Sequence, residues 1–168
     1  MKFTLLLALV ATALFTAAPA GHAGTFYYPT QADAWFSIEI PDAWKPKVKD
    51  ETIEATAPKD AAYVTFWVLT DVKDFASLPK DIAEILKDSV TNPKITKKME
   101  PKTVNGIEFK TSSGTGLDRK EKTPVSFEFW LFSPKPGKVG FLYFDRDTDA
   151  SPEIMKALEG IVGSIKKK

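Results

Sequence analysis

The chain contains no cysteine, and its one histidine, His22, lies near the N-terminus. These two shortages exclude a good deal of chemistry. Without cysteine there is no disulfide, no thiolate nucleophile and no covalent c-type haem. With His22 set in an N-terminal segment that is read below as removed, Ser-His-Asp and Cys-His sites and Cys/His zinc or copper centres go too. Carboxylate pairs and Ser-Lys dyads survive on residue type alone, and no local motif points to either. Charge of one sign is also scarce. A net charge of +1 over 168 residues gives none of the basic excess that binding to nucleic acid requires. The one long apolar run, Phe3 to Ala18, is shorter than the roughly 20 residues that cross a bilayer comfortably.

That run nevertheless has a reading of its own. Lys2 provides a positive start, Thr4, Thr12 and Thr16 alone interrupt the apolar stretch, and small residues follow it. This is the pattern of a secretory signal peptide. Gly21-His22-Ala23 before Gly24 is the preferred cleavage site, and Ala18-Pro19-Ala20 before Gly21 the second choice. The competing reading, an uncleaved membrane anchor, is disfavoured because neither a second hydrophobic segment nor a polybasic stop follows. A bacterial lipid anchor would need a cysteine at the cut. The expected organisation is a signal peptide over 1–23 and a single domain over 24–168, exported to the periplasm or the medium, with no membrane span after cleavage. Loss of Met1–Ala23 leaves 145 residues with 22 basic and 22 acidic side chains. A chain of that size buries roughly two-thirds of its unfolded surface and needs no disulfide. Lys166–Lys168 reads as a basic cluster decorating a helix C-terminus, where cations oppose the helix dipole favourably.

Alternation of apolar and polar residues predicts strands at Trp35–Ile40, stopped by Pro41, and at Ile53–Ala57, stopped by Pro58. Ala62–Leu69, Pro124–Phe132 and Val139–Asp145 carry bulky apolar residues on both faces, which places them centrally, covered from both sides. Leu78–Thr91 reads as a helix with Pro79 near its start and Ile82, Ile85, Leu86 and Val90 as its apolar stripe. A strand over Ile95–Val104 and a return strand from Ile107 to Leu117 flank Asn105-Gly106, a strong hairpin signal. Gly114 and Gly116 suggest a bulge or bend in the return strand. The last element is a helix with Ser151 as N-cap, Pro152 at its first position and Ile154, Leu158, Ile161, Val162 and Ile165 as its buried stripe. The sum is an α+β domain: a mainly antiparallel sheet of about six to seven strands flanked by helices.

The stretch Phe36-Ser37-Ile38-Glu39-Ile40-Pro41-Asp42-Ala43-Trp44 resembles the opening signature of PsbP-like and DcrB-like proteins. There, a strand of the form Phe-Ser-Ile-x-Ile-Pro ends in a turn bearing a tryptophan. The order of elements that follows fits as well. The resemblance implies an α/β/α sandwich. It also implies a non-enzymatic role, since members of this fold family act as photosystem accessory subunits, envelope lipoproteins, nuclear-transport regulators and effector chaperones. Membrane tethering is not implied, because the lipoprotein cysteine is missing.

One acidic constellation stands out: Asp145, Asp147 and Asp149, followed by Glu153. Alternating carboxylates can converge on Ca²⁺, but the sixth and twelfth positions of an EF-hand-like loop hold Ala150 and Lys156 in place of glycine and glutamate. A strand end, a polar turn and a helix N-terminus is the favoured reading. Ser112-Ser113-Gly114-Thr115-Gly116 lacks the Gly-Lys-Ser/Thr ending of a phosphate loop and leads into no helix, so a bent strand is expected. Thr25-Phe26-Tyr27-Tyr28-Pro29 is expected to pack its rings on the sheet in preference to stacking on a ligand. The expectation is therefore an exported binding or assembly-accessory domain with no catalytic residues and no cofactor. It presents a protein-interaction surface to another envelope protein, and the alternative is a small-ligand or calcium-binding module.

Overall fold

The computed structural model describes residues 22–70, 72 and 78–168. The proposed signal peptide over 1–23 thus lies, up to residue 21, outside the described residues. A seven-stranded antiparallel sheet forms the middle layer. Its members are β3 (Lys47–Lys49), β4 (Thr52–Thr56), β5 (Ala62–Thr70), β6 (Val90–Val104), β7 (Ile107–Asp118), β8 (Pro124–Phe132) and β9 (Lys138–Asp147). They lie in the order β3-β4-β5-β9-β8-β7-β6, so the three strands read as two-faced occupy the interior positions.

The two faces of this sheet carry separate cores. Val64, Phe66 and Val68 of β5 point into one, with Trp130 and Phe132 of β8 and Leu142 and Phe144 of β9. Tyr63, Trp67 and Leu69 turn to the other, with Phe127, Phe129, Leu131, Phe141 and Tyr143. The first core is closed by helix α2 (Pro152–Gly163) and by a three-stranded sheet made of β1 (Ala23–Tyr28), β2 (Phe36–Pro41) and β10 (Lys166–Lys167), in the order β1-β2-β10. The second is closed by α1 (Pro79–Ser89), which contributes Ile82 and Leu86, and by Leu78 just before it. The result is a sheet with a helix on each side, the α+β sandwich expected.

Several local expectations change. The predicted first strand is present as Phe36–Pro41, but it belongs to the small sheet and packs across the large one. Thr25–Tyr28 is itself a strand, paired with β2 from Ala23↔Pro41 to Tyr28↔Phe36, with Phe26 and Tyr28 turned to the core. The helix expected to reach Thr91 stops at Ser89. Val90 and Thr91 instead pair with Asp118 and Leu117, because a β-branched pair gains more from the sheet edge than from a helix end. The side chain of Ile85 lies outside those described; Ile82 and Leu86 are buried.

The bulges fall on β6, the first two of them at Gly116 and Gly114 of the partner strand and the third at Ser112. The β6–β7 register shifts between Thr91 and Lys94, between Ile95 and Lys97 and between Lys97 and Glu100. Gly116 makes room for the first of these, since a Cβ there would stand 2.2 Å from Val90 Cγ1 and 3.0 Å from the Thr91 carbonyl. The hairpin turn is as predicted: Asn105 (φ 51°) and Gly106 (φ 73°) both adopt positive φ, as a type I′ turn requires. Lys166–Lys168 does not decorate a helix end. The helix stops at Gly163, and Lys166 and Lys167 pair with Ser37 and Phe36. Ser164 makes that turn possible: its hydroxyl accepts from the Glu39 N–H at 2.8 Å and donates to the Ile161 carbonyl at 2.7 Å.

Candidate functional site

Antiparallel pairing brings one set of strand ends together: the end of β4, the start of β5, the ends of β7 and β9, the start of β8 and the last turn of α1. Between them lies an open hollow of about 600 Å³. Seven acidic and three basic side chains line it. Glu54 and Asp60 come from around the β4–β5 turn, Asp145 and Asp147 from β9, Asp118 and Glu121 from the β7–β8 turn, and Asp88 from α1. Arg119, Lys120 and Arg146 offset part of this charge.

The walls are held by local hydrogen bonds. Asp118 turns the chain: its carboxylate accepts from the backbone N–H of Lys120 at 2.7 Å and of Glu121 at 2.6 Å. Arg119 then ties this turn to α1. Its backbone N–H donates to the Ser89 carbonyl at 3.0 Å, its guanidinium donates to the Lys87 carbonyl, and it lies 3.9 Å from Asp88. At the floor, the buried Tyr143 phenol donates to Asp145 Oδ2 at 2.7 Å.

Burial sets the electrostatics. It pushes the Asp145 carboxyl up to about 6; the hydrogen bond from Tyr143 works against this, and the charges of Asp118 and Asp147 add to it. The Tyr63 phenol is pushed up to about 12 by burial and by Glu54, and the Tyr143 phenol is raised further still, by burial and by Asp145. Both tyrosines are therefore neutral donors at physiological pH. The hollow offers carboxylates and the Tyr63 hydroxyl, with Tyr143 buried beneath Asp145, and its acidic excess favours a cationic group such as an amine or guanidinium.

The four acids singled out from the sequence do not stay together. Asp145 and Asp147 line the hollow, whereas Asp149 and Glu153 are exposed and take no part in its lining. Glu153 sits in the first turn of α2, where a hydrogen bond from Ser151 holds its carboxyl below the usual range. Ser151 does occupy the N-cap position, but it caps no backbone N–H. Among the described residues, no three His, Cys, Asp or Glu side chains form a group that could hold a metal ion. Sequence reading missed Glu54, Asp60, Asp88 and Asp118 as companions of Asp145. The charged turn at 118–122 was the available signal, but only the strand order brings it to the end of β9.

A second, smaller hollow of about 300 Å³ opens between α2 and the sheet, walled by Trp130, Phe144, Leu158 and Val162. Lys102 Nζ lies 4.4 Å from the centre of the Trp130 ring, and the indole N–H donates to Glu128 at 3.1 Å.

No family model and no curated protein matches the chain. Solved structures do. The chain is similar to the cyanobacterial PsbP protein CyanoP of Synechocystis, with a TM-score of 0.60 at 12% identity over 92% of this chain and 99% of that one. It is similar to the Ran-binding protein Mog1p of Saccharomyces cerevisiae, with a TM-score of 0.55 at 9% identity over 88% and 96%. It is also similar to LpqN of Mycobacterium tuberculosis, a protein involved in cell envelope biogenesis, with a TM-score of 0.52 at 17% identity over 87% and 91%. A Bacteroides thetaiotaomicron protein matches with a TM-score of 0.56 at 17% identity, and the chain spans 48% of its length. At such identities the likeness is one of fold. With its seven-stranded sheet, its helix on each side and these structural neighbours, the chain has the PsbP-like, DcrB-like fold.

Proposed function

We propose that the chain is an exported, non-enzymatic accessory domain that binds another envelope protein, and that this partner docks a basic segment in the acidic hollow. The observation that carries this reading is the hollow itself: about 600 Å³, open, and lined by seven acidic side chains against three basic ones. The fold neighbours lend support, since one is a Ran-binding protein and another is involved in envelope biogenesis. Among the described residues no helix is long and apolar enough to cross a membrane.

The test is affinity capture from envelope extract with the natural chain and with an Asp118→Lys, Asp147→Lys variant. A stoichiometric protein partner held by the first and lost from the second supports the reading. A partner retained by both removes the hollow from it. No partner, together with a calcium- or ligand-dependent rise in melting temperature, favours the small-ligand alternative.

Export carries its own test. The preferred cut before Gly24 would remove residues that β2 and the turn after it use. Ala23 pairs with Pro41, and the His22 carbonyl accepts from the Asp42 N–H at 2.9 Å. The second site, before Gly21, keeps both, and β1 favours it; His22 then stays in the mature chain as its one histidine, outside the lining of the acidic hollow. Intact-mass measurement on protein from the envelope is expected to show a chain starting at Gly21. A soluble form starting at Met1 removes the export proposal.

A further inference from the structure

The near-zero net charge conceals a division along β9. Its Asp147 end borders the acidic hollow. Its Lys138 end borders a surface that bears Lys135, Lys138, Lys166, Lys167 and Lys168 beside two half-buried rings, Trp35 and Tyr27. A ten-residue strand at roughly 3.3 Å per residue sets these ends about 30 Å apart.

The lysines and the rings are in contact. Lys135 Nζ lies 5.2 Å from the centre of the Trp35 ring, Lys138 Nζ 6.0 Å from the same ring, and Lys168 Nζ 5.5 Å from that of Tyr27. Strand pairing fixes the platform. β10 pairs with β2, the Lys168 N–H donates to the Trp35 carbonyl at 3.1 Å, and the Trp35 N–H donates to the Tyr28 carbonyl at 2.7 Å. Among the described residues, Glu39 meets Lys166 at 3.4 Å, and both side chains are open to solvent.

We propose that this end of the molecule docks on an anionic lipid surface, its lysines among the headgroup phosphates and Trp35 and Tyr27 at headgroup depth. Three features favour lipid over a folded macromolecule. The cations are all lysines, compact point charges suited to a diffuse anionic field, with no arginine fork for bidentate recognition. The aromatic residues are one Trp and one Tyr, which combine an apolar ring with a polar edge and settle at membrane–water interfaces. The ammonium groups of Lys135, Lys138 and Lys168 stand 5.2, 6.0 and 5.5 Å from the ring centres, so charge and apolar ring are offered at one place, and the long lysine stems give those charges reach toward headgroups. The acidic hollow at the far end of β9 would be repelled by the same surface, so the docked molecule presents it outward.

The experiment is flotation of the full chain with phosphatidylcholine vesicles, with and without phosphatidylglycerol, at low and physiological salt. It is repeated with a Lys135→Gln, Lys138→Gln, Lys167→Gln, Lys168→Gln variant. Both proteins share one N-terminus, so a difference between them belongs to these lysines. Each lysine near an anionic surface is expected to contribute about fivefold in affinity, so the variant should lose a hundredfold or more. Binding should weaken with salt, and tryptophan fluorescence should shift to the blue on anionic vesicles. Trp35→Phe should remove that shift, and Lys135→Gln alone, in an exposed loop, should lose a fraction of the binding. Equal binding to neutral and anionic vesicles overturns the proposal, as does equal binding by the four-lysine variant with an unchanged melting temperature. Retention on a soluble polyanion with none on vesicles also overturns it and gives the surface to an acidic macromolecule.

Discussion

Asp145 accepts a hydrogen bond from Tyr143, yet its carboxyl titrates at about 6, because burial outweighs that bond and Asp118 and Asp147 add negative charge nearby. The folded value lies above the unfolded one of about 3.9, so the folded state holds the proton more tightly. The stability contributed by this group is complete below about pH 4 and is lost as pH rises through about 6. Asp145→Asn keeps an oxygen to accept from Tyr143 and removes the buried charge. It is expected to raise stability by roughly 1–2 kcal/mol at pH 7.5 and to flatten the dependence between pH 4 and 6, as read by urea titration across that range. Equal stability of variant and natural chain at pH 7.5 would show that water relieves the burial. At Gly140 the constraint is steric. A Cβ there would stand 2.4 Å from Phe132 Cε1, and Phe132 is fully buried with nowhere to retreat. Gly140→Ala should cost about 1–3 kcal/mol through overpacking, and the same measurement checks it.

At the scale of elements, α2 depends on docking. Gly160 and Gly163 weaken it intrinsically, while Leu158, Ile161 and Val162 are buried against the sheet. Leu158→Ala should cost roughly 2–5 kcal/mol, whereas Lys167→Gln, on an exposed two-residue strand, should cost almost nothing. Equal small effects would make the helix a detached tail. The elements that could be read in the sequence were those whose side chains repeat a local rule. Phe127, Phe129 and Leu131 against Trp130 and Phe132 announce a strand covered on both sides, and Asn105-Gly106 announces its turn. β3 and β10 announce nothing, being three and two exposed residues long. They exist because β4 and β2 offer backbone groups for pairing beside them. The hollow was half legible for the same reason. Asp145 and Asp147 share a strand, but Glu54 and Asp118 reach them only through the strand order, which no local pattern encodes.

For the molecule as a whole, the distribution of acids decides between hollow and metal site. Calcium at millimolar concentration is expected to leave the melting temperature unchanged, because Asp149 and Glu153 lie apart from Asp145 and Asp147. A bound ion at 100 times its dissociation constant would add roughly 2.7 kcal/mol, a rise of several degrees in a domain of this size. A reversible rise of that kind, abolished by Asp147→Asn, would restore the calcium reading. The large sheet also has to end somewhere, and its outer strands are β3 and β6. The fifteen residues of β6 form a long border open to solvent, with Ile95 46% and Met99 42% exposed. Left straight, such a border would be a template for a second copy. Three register shifts break its ladder, and Lys94, Lys97, Lys98 and Lys102 crowd it with like charge, as Lys47 and Lys49 do at β3. The practical consequence is colloidal: the protein should stay monodisperse when concentrated, and exchanging Lys94, Lys97 and Lys98 for threonine should turn a clear solution into one that scatters light and seeds fibrils.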